Sequence, residues 1–373
     1  MKINFIGPFL DSSGYGELSR LIISGLHEAG ADLAIQPIIL ESGGSKISDF
    51  GTTSELLTKL LKVKKQDSGV NIICTIPRLF SGYKKQNMLN VGITMFEGSS
   101  LPAGWATACN EMDMLIVPSQ WNKAIFKESG ITIPIEVWLP GMRSSIKSVE
   151  SNSALQDKYR FYSIFEWTER KNPSGLLKAY WSAFSGRSDV QLTIKTSRKQ
   201  HSSEQTFVLA EIDKIKKSVN LPHYPEIKLI FDKLSSSSMQ QLHIENDCFV
   251  LPHRCEGLGL PLMEAMAIGN PTIATGYSGN LEFMNNDNSY LLDYQLAPIF
   301  GMDYLSGFYT GDMWWAEADL FGLVQIMKEV VRNKDNALEI GKKGQQRIVA
   351  DFSIKNKTQE LLKILTSINT ELN

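Results

Sequence analysis

The chain has 373 residues, 43% hydrophobic and 21% charged, with 38 Lys and Arg against 40 Asp and Glu, for a formal charge of -2. That length is too great for one ordinary core and fits two domains, while the near-neutral charge excludes a general attraction for nucleic acid, so that any polyanion must be met locally. Apolar runs such as Met114 to Val117 fall far short of the roughly 20 residues that span a bilayer, and MKINFIGPF lacks the features of a signal peptide.

Short β-rich runs alternate with helical patterns in the order MKINFIG, DLAIQPI, VNIICTI, NVGITMF, MLIVPS, FYSIFEW, VQLTIKT, IKLIFD, DCFVLP and PTIAT. Alternation of this kind predicts parallel sheets flanked by helices, and the scarcity of polar positions within the runs predicts sheets covered on both faces. The first run is followed by PFLDSSGYGELSRLIISGL, which sets Gly14 and Gly16 just before an amphipathic helix carrying Leu18, Leu21, Ile22 and Leu26. It is not a dinucleotide fingerprint, because Ser19 stands where a third glycine belongs and Asp32 begins the second strand instead of ending it.

Further along, KLLKVKK (Lys59 to Lys65) and Tyr83-Lys84-Lys85 concentrate positive charge. A basic amphipathic face can hold a protein at an anionic membrane, although such faces are usually just solvated. Glu97 follows the NVGITMF strand at its carboxyl end and either meets a ligand hydroxyl or caps the helix expected from Leu101-Pro102. Cys74, Cys109, Cys248 and Cys255 form no Cys-x-x-Cys pair and no zinc-like cluster, which fits reduced packing thiols in a cytoplasmic protein.

The polar, serine-rich stretch from Pro140 to about Lys158 is the best domain boundary. It divides the chain into a Rossmann-like domain over 1–150 and a second over 151–353, with the amphipathic helix 354–373 placed to return to the first. Beyond it, FEWTERKNPSGLLKAY reads as strand, basic loop (Arg170, Lys171) and a helix opened by Asn172-Pro173.

The most informative stretch is LPHRCEGLGLPLMEAMAIGNPTIATGYSGNLEFM, from Leu251 to Met284. A strand leads into a glycine-rich turn that opens a helix at Leu260-Pro261, whose free N–H groups and positive dipole end suit a diphosphate. Gly257 and Gly259 let that backbone come close to a ligand. Glu256 and Glu264 stand at either end of the turn as acceptors for sugar or ribose hydroxyls; the bland alternative is a solvated loop residue and a helix-dipole partner. His253 is the one histidine beside the motif, either a donor contact or a structural hydrogen-bonding residue.

Glu256-Gly257-Leu258-Gly259-Leu260-Pro261-Leu262-Met263-Glu264-Ala265-Met266-Ala267, followed by Gly269-Asn270-Pro271, resembles the motif of the retaining family-4 glycosyltransferases. The resemblance implies an α/β GT-B fold, two Rossmann-like domains facing each other across a cleft. It also implies transfer of a hexose from a UDP- or GDP-sugar to a hydroxyl of a glycan or glycolipid acceptor, in cell-surface polysaccharide or lipopolysaccharide synthesis. Glu256 would then meet the donor sugar, Glu264 the ribose, and the amides of Leu258 and Gly259 the sugar or diphosphate. Ser278, Gly279 and Asn280 look like the next donor-side loop, and Gly14 and Gly16 like the glycine loop of the first domain. Lys171 takes the place of the phosphate-binding lysine. Family members commonly carry Arg five residues earlier, where this chain has Glu166, so a second cation must come from Arg170, Lys195 or Arg254, with Lys195 preferred.

ITMFEGSS with the later VPS resembles the acceptor-domain core of a subset of the family, which gives Glu97 a role in orienting the acceptor. The same resemblance implies no cofactor and no metal, and the chain has no Asp-x-Asp; Glu111-Met112-Asp113 is the nearest imitation. Two other readings stay open: a sugar-nucleotide epimerase of the same fold, and a non-catalytic sugar-nucleotide-binding subunit.

Overall fold

All ten β-rich runs form strands, and each lies parallel to its neighbours in one of two six-stranded sheets. The computed structural model describes residues 1–40, 46–51, 53–142, 158–198, 204–302, 305 and 307–371; most of the expected boundary segment, residues 143–157, lies outside them. The chain divides into two units, one comprising Met1–Ser145, Ser235–Ser237 and Val349–Asn373, the other Ile146–Leu234 and Ser238–Ile348.

In the first unit β1 (Lys2–Gly7), β2 (Asp32–Pro37), β3 (Val70–Cys74), β4 (Leu89–Ile93), β5 (Met114–Val117) and β6 (Ile135–Val137) are ordered β2-β1-β3-β4-β5-β6. Helices α1 (Gly14–Glu28), α2 (Thr53–Leu60), α3 (Trp105–Asn110) and α4 (Gln120–Glu128) lie between the strands in sequence. Every residue of β3, β4 and β5 is buried, as expected of a parallel sheet covered on both faces. Because β1 pairs with β2 on one side and β3 on the other, the chain reverses its direction of travel across the sheet there. The loop after β1 lies at that switch point, a place where open α/β sheets receive ligands.

The second unit runs β7 (Tyr159–Glu166), α5 (Pro173–Phe184), β8 (Val190–Ser197), α6 (Glu204–Val219), β9 (Glu226–Ile230), α7 (Ser236–Ile244), β10 (Cys248–Leu251), α8 (Leu260–Ile268), β11 (Thr272–Thr275) and β12 (Tyr290–Leu292). Its sheet order is β12-β11-β10-β7-β8-β9, so the switch point falls between β7 and β10. An antiparallel ribbon of β13 (Tyr294–Pro298) and β14 (Trp314–Ala318) follows, a feature with no counterpart in the sequence pattern, and then α9 (Leu320–Arg332) and α10 (Lys334–Asp351).

The closing helix α11 (Ile354–Glu371) belongs to the first unit. Leu361, Leu365 and Ile368 share a core with Leu18, Ile22 and Leu26 of α1. The approach is close: a Cβ on Gly25 would meet Thr358 Oγ1 at 2.1 Å. The chain leading into α11 is tied by Met142 N–H to Phe352 O at 2.6 Å and Ile354 N–H to Met142 O at 3.1 Å, and α11 itself by Trp138 Nε1–H to Lys357 O at 2.7 Å.

Candidate active site

At the switch point of the second unit, the loops that follow β7 and β10 are joined by Arg254 N–H donating to Arg170 O at 2.8 Å. The β7 loop turns sharply at Asn172, held at a φ of 55° while its side chain caps α5 by accepting from Gly175 N–H at 3.0 Å. That turn sets Arg170 and Lys171 at the end of the loop, where both reach the carboxylate of Glu256. Lys171 Nζ makes a short charge-assisted contact with Glu256 Oε1, and Arg170 Nη1 lies 3.5 Å from the same oxygen while donating to Cys255 O at 2.9 Å. Burial by itself raises the Glu256 pKa, but the charges of Lys171 and Arg170 outweigh it and hold the group at about 2, below its usual 4.5.

The glycine turn after Glu256 enters α8 through Gly259, the N-cap, at a φ of +84°. It is clamped from the next loop: Glu256 N–H donates to Ser278 Oγ and Gly279 N–H donates to Glu256 O, both at 2.9 Å. A Cβ on Gly279 would meet Gly257 O at 2.1 Å, so nothing larger fits between the two loops. Ser278 pays for the clamp with a φ of +73°, a strained conformation for a non-glycine residue. Leu258 is buried behind the turn. Asn280 donates to Thr275 O at 3.0 Å, whereas its buried Oδ1 has no partner.

His253, fully buried in the same loop, has no hydrogen bond at either ring nitrogen. Burial is the largest influence on it and lowers its pKa to about 4, against an opposing attraction from Glu256, so the ring is neutral at pH 7. Both ring nitrogens lie beside the buried cluster of Glu256, Lys171 and Arg170, whose charges act on the ring.

Glu264, on α8, meets a partner that the sequence did not disclose: His243 Nε2 of α7 lies 3.5 Å from Glu264 Oε2. Among the candidate second cations, Arg170 is joined to Glu256, Lys195 Nζ donates to Thr196 O at 3.1 Å, and Arg254 is engaged by Glu317 at 2.5 Å and Glu169 Oε2 at 3.1 Å. Arg254 also lies over the Trp315 ring, and its carbonyl accepts from Ala316 N–H, so the antiparallel ribbon braces the loop that carries Glu256.

In the first unit, Gly14 and Gly16 lie inside the first turn of α1 rather than before it, with Ser13 as the N-cap accepting from Gly16 N–H at 3.1 Å. Gly16 packs against the loop, where a Cβ would meet Asp11 O at 2.1 Å; a Cβ on Gly14 would meet nothing within 4 Å. Between them Tyr15, overlooked in the sequence, bonds the β4 exit through Thr94 Oγ1 at 3.0 Å and Met95 N–H at 3.1 Å. Desolvation raises the pKa of this phenol, and the Glu97 charge adds to the shift, which sets Glu97 near the same helix start. The helix after Glu97 begins at Trp105, not Leu101, and its N-cap is Gly104, so Glu97 does not cap it.

The basic stretch from Lys59 to Lys65 is not one helical face, because α2 ends at Leu60, Lys62 lies on the turn beyond, and Lys64 and Lys65 lie in the irregular segment that follows. No helix among the described residues is long and apolar enough to cross a membrane. All four cysteines are buried and none forms a disulfide. Among the described residues no group of three His, Cys, Asp or Glu side chains is gathered to hold a metal ion.

Residues 146–294 match the family model described as glycosyl transferases group 1. No curated protein sequence matches the chain. Sucrose-phosphate synthase from Thermosynechococcus elongatus is similar in structure, with a TM-score of 0.71, 14% identity and coverage of 100% of both chains. Alr3699/HepE of Anabaena, solved with UDP and glucose, gives 0.67 at 15% identity over 98% of this chain and 100% of its own. A glycosyltransferase from Rickettsia africae ESF-5 gives 0.66 at 13% identity over 98% of each chain. At such identities the likeness is one of fold, the GT-B architecture of two parallel-sheet Rossmann-like units. The group 1 match together with this fold supports a glycosyltransferase.

Proposed function

We propose that the chain is a retaining, metal-independent glycosyltransferase that moves a hexose from a UDP- or GDP-sugar to a hydroxyl of a glycan or glycolipid acceptor in cell-surface polysaccharide synthesis. The observation that carries the donor reading is the convergence of Lys171, Arg170 and Glu256 at the switch point of the group 1 domain, directly before the N-terminus of α8. HepE, similar in fold, was solved with UDP and with glucose, which suits a donor of this class.

Both cations contact the one Glu256 carboxylate, which offsets one of their two charges. An incoming diphosphate carries more charge than one carboxylate and takes Lys171 and Arg170 for itself, assisted by the amides of Leu258 and Gly259 and the positive end of α8. Glu256, released from them, becomes an acceptor for a hydroxyl of the sugar. Glu264 takes the ribose hydroxyls, and the loop of Ser278, Gly279 and Asn280 closes the sugar side together with His253.

Stabilising the departing diphosphate lowers the barrier to breaking the anomeric C–O bond, and the resulting oxocarbenium-like sugar is attacked by the acceptor hydroxyl on the same face. The leaving phosphate oxygen accepts the acceptor's proton, so no protein nucleophile is needed. On the first unit, Glu97 orients the acceptor, and Gly14, where a Cβ would meet nothing within 4 Å, leaves room for a bulky charged ligand while Gly16 packs the loop beside it. The decisive experiment is turnover of UDP-glucose and GDP-mannose in EDTA with an acceptor mixture from bacterial envelope. Nucleoside diphosphate release with the α-linkage retained supports the proposal; an inverted product or no release from any nucleotide sugar overturns it.

A further inference from the structure

Glu264 stands at the end of a hydrogen-bonded series that runs through the buried interior of the donor unit. Asn270, just past the end of α8, donates through Nδ2 to Tyr162 Oη at 2.8 Å and to His243 O at 2.7 Å. Tyr162, in β7 and fully buried, lies 2.8 Å from His243 Nδ1, and desolvation keeps its hydroxyl protonated well beyond the ordinary phenol range. The direction of each bond then follows. An amide N–H2 can only donate, so the tyrosine oxygen accepts from Asn270; in the bond to Nδ1 either atom can donate, and donation from the tyrosine is favoured because its buried hydroxyl proton would otherwise be left unspent. Nδ1 is therefore the bare nitrogen, and the ring proton sits on Nε2.

That Nε2–H is buried on a side chain only 3% exposed, has no hydrogen bond, and faces Glu264 Oε2 at 3.5 Å. The Glu264 side chain itself remains 26% exposed. An unspent buried donor standing just beyond bonding distance of a half-open carboxylate is set to engage it after a small rotation. We infer that His243 is the positioning residue of Glu264: its Nε2–H holds one carboxylate oxygen so that the other is presented to the ribose hydroxyls, with Tyr162 and Asn270 fixing the tautomer. This rests on the donor reading given above for Glu264. It adds that ribose selectivity is set from the far side of the carboxylate, by residues that never touch the nucleotide.

The test is calorimetric titration of UDP, GDP and ADP, each against its 2′-deoxy form, into the full chain. Wild type is expected to prefer the ribose form of the diphosphate that it binds by about tenfold, the worth of a charge-assisted hydrogen bond. His243→Gln, whose amide N–H2 can replace Nε2–H, is expected to keep most of that ratio. His243→Asn, which replaces Nδ1 but cannot reach Glu264, is expected to bring it near one with pyrophosphate affinity unchanged. Tyr162→Phe frees the tautomer and should give an intermediate ratio; it carries the inference if His243→Asn does not fold. An undiminished ratio in both His243→Asn and Tyr162→Phe overturns the role of His243 while leaving the donor site standing. No binding by wild type, or binding without ribose preference, overturns it together with the reading of Glu264.

Discussion

Lys171 and Glu256 form a closed ion pair whose side chains are only 11% and 5% exposed, with Arg170 3.5 Å from the same carboxylate oxygen. On the proposed roles, the group that would hold the sugar occupies the cations that would hold the diphosphate. Glu256→Gln removes that competitor, so the affinity for UDP or pyrophosphate should rise by about tenfold, the ordinary worth of a charge-assisted contact. Sugar transfer should fall by about a hundredfold or more, because a positioned hydroxyl acceptor is lost where it acts in the transition state. Calorimetry and initial rates on the same preparation check both halves, and a variant that binds more weakly refutes the competition.

His253 gives the fold a predictable weakness to acid. Its pKa is about 4 in the folded protein against 6.5 when exposed, so between those values the unfolded chain binds the extra proton and stability rises with pH. The contribution is complete above pH 6.5 and disappears as the pH falls towards 4, with about 2 kcal/mol gone by pH 5. Glu256, held at about 2 against 4.5, acts in a separate and lower window: its contribution is complete above pH 4.5 and is lost as the pH falls towards 2. Urea titrations at pH 7 and pH 5 should show the first loss in wild type and a flatter response in His253→Gln. Equal responses would remove His253 as its cause.

The elements and the sequence motif around Glu256 were legible because each is written locally. Ser119 and Asn172 announce helix starts, Gly259 marks a left-handed turn, and the fully apolar strands announce sheets covered on both faces. Contacts that join distant segments left no such mark. Tyr15 lies in the middle of a recognised glycine loop, yet its partners Thr94 and Met95 lie some eighty positions on, and nothing local ties His243 to Glu264. The ribbon of β13 and β14 escaped for a related reason. Its strands mix exposed Tyr294, Leu296 and Trp314 with buried Trp315, and neither a twofold nor a helical period stands out.

The two glycines of α1 separate structure from function. Gly16→Ala drives a Cβ against Asp11 O and should cost about 3 kcal/mol, near the upper end of the usual overpacking range. Gly14→Ala meets nothing in the unliganded protein, so its unfolding midpoint should hardly move, while KM for the nucleotide sugar rises if a ligand comes close to that backbone. Thermal melts and Michaelis curves for both variants decide this. A Gly14→Ala enzyme with wild-type kinetics would take the glycine loop out of the site.

The cations rank in order of their contact with Glu256. Arg170→Gln should weaken UDP binding by about tenfold, and Lys171→Gln by more, because each removes a charge that the proposal assigns to the phosphates. Lys195, whose ammonium donates to Thr196 O, is expected to cost less than threefold when changed to Gln, the effect of a charge not paired with the ligand. The reverse ranking would make Lys195 the second phosphate cation.

The most direct measurement of the whole account is the binding of UDP, GDP, ADP and TDP to wild type and to Glu264→Ala, by calorimetry with EDTA present. One diphosphate should bind wild type without metal, and Glu264→Ala should bind it at least about tenfold more weakly. Failure of all four to bind, a requirement for divalent cations, or equal affinity in the two proteins would contradict a metal-independent donor site built on Glu264, Glu256 and Lys171.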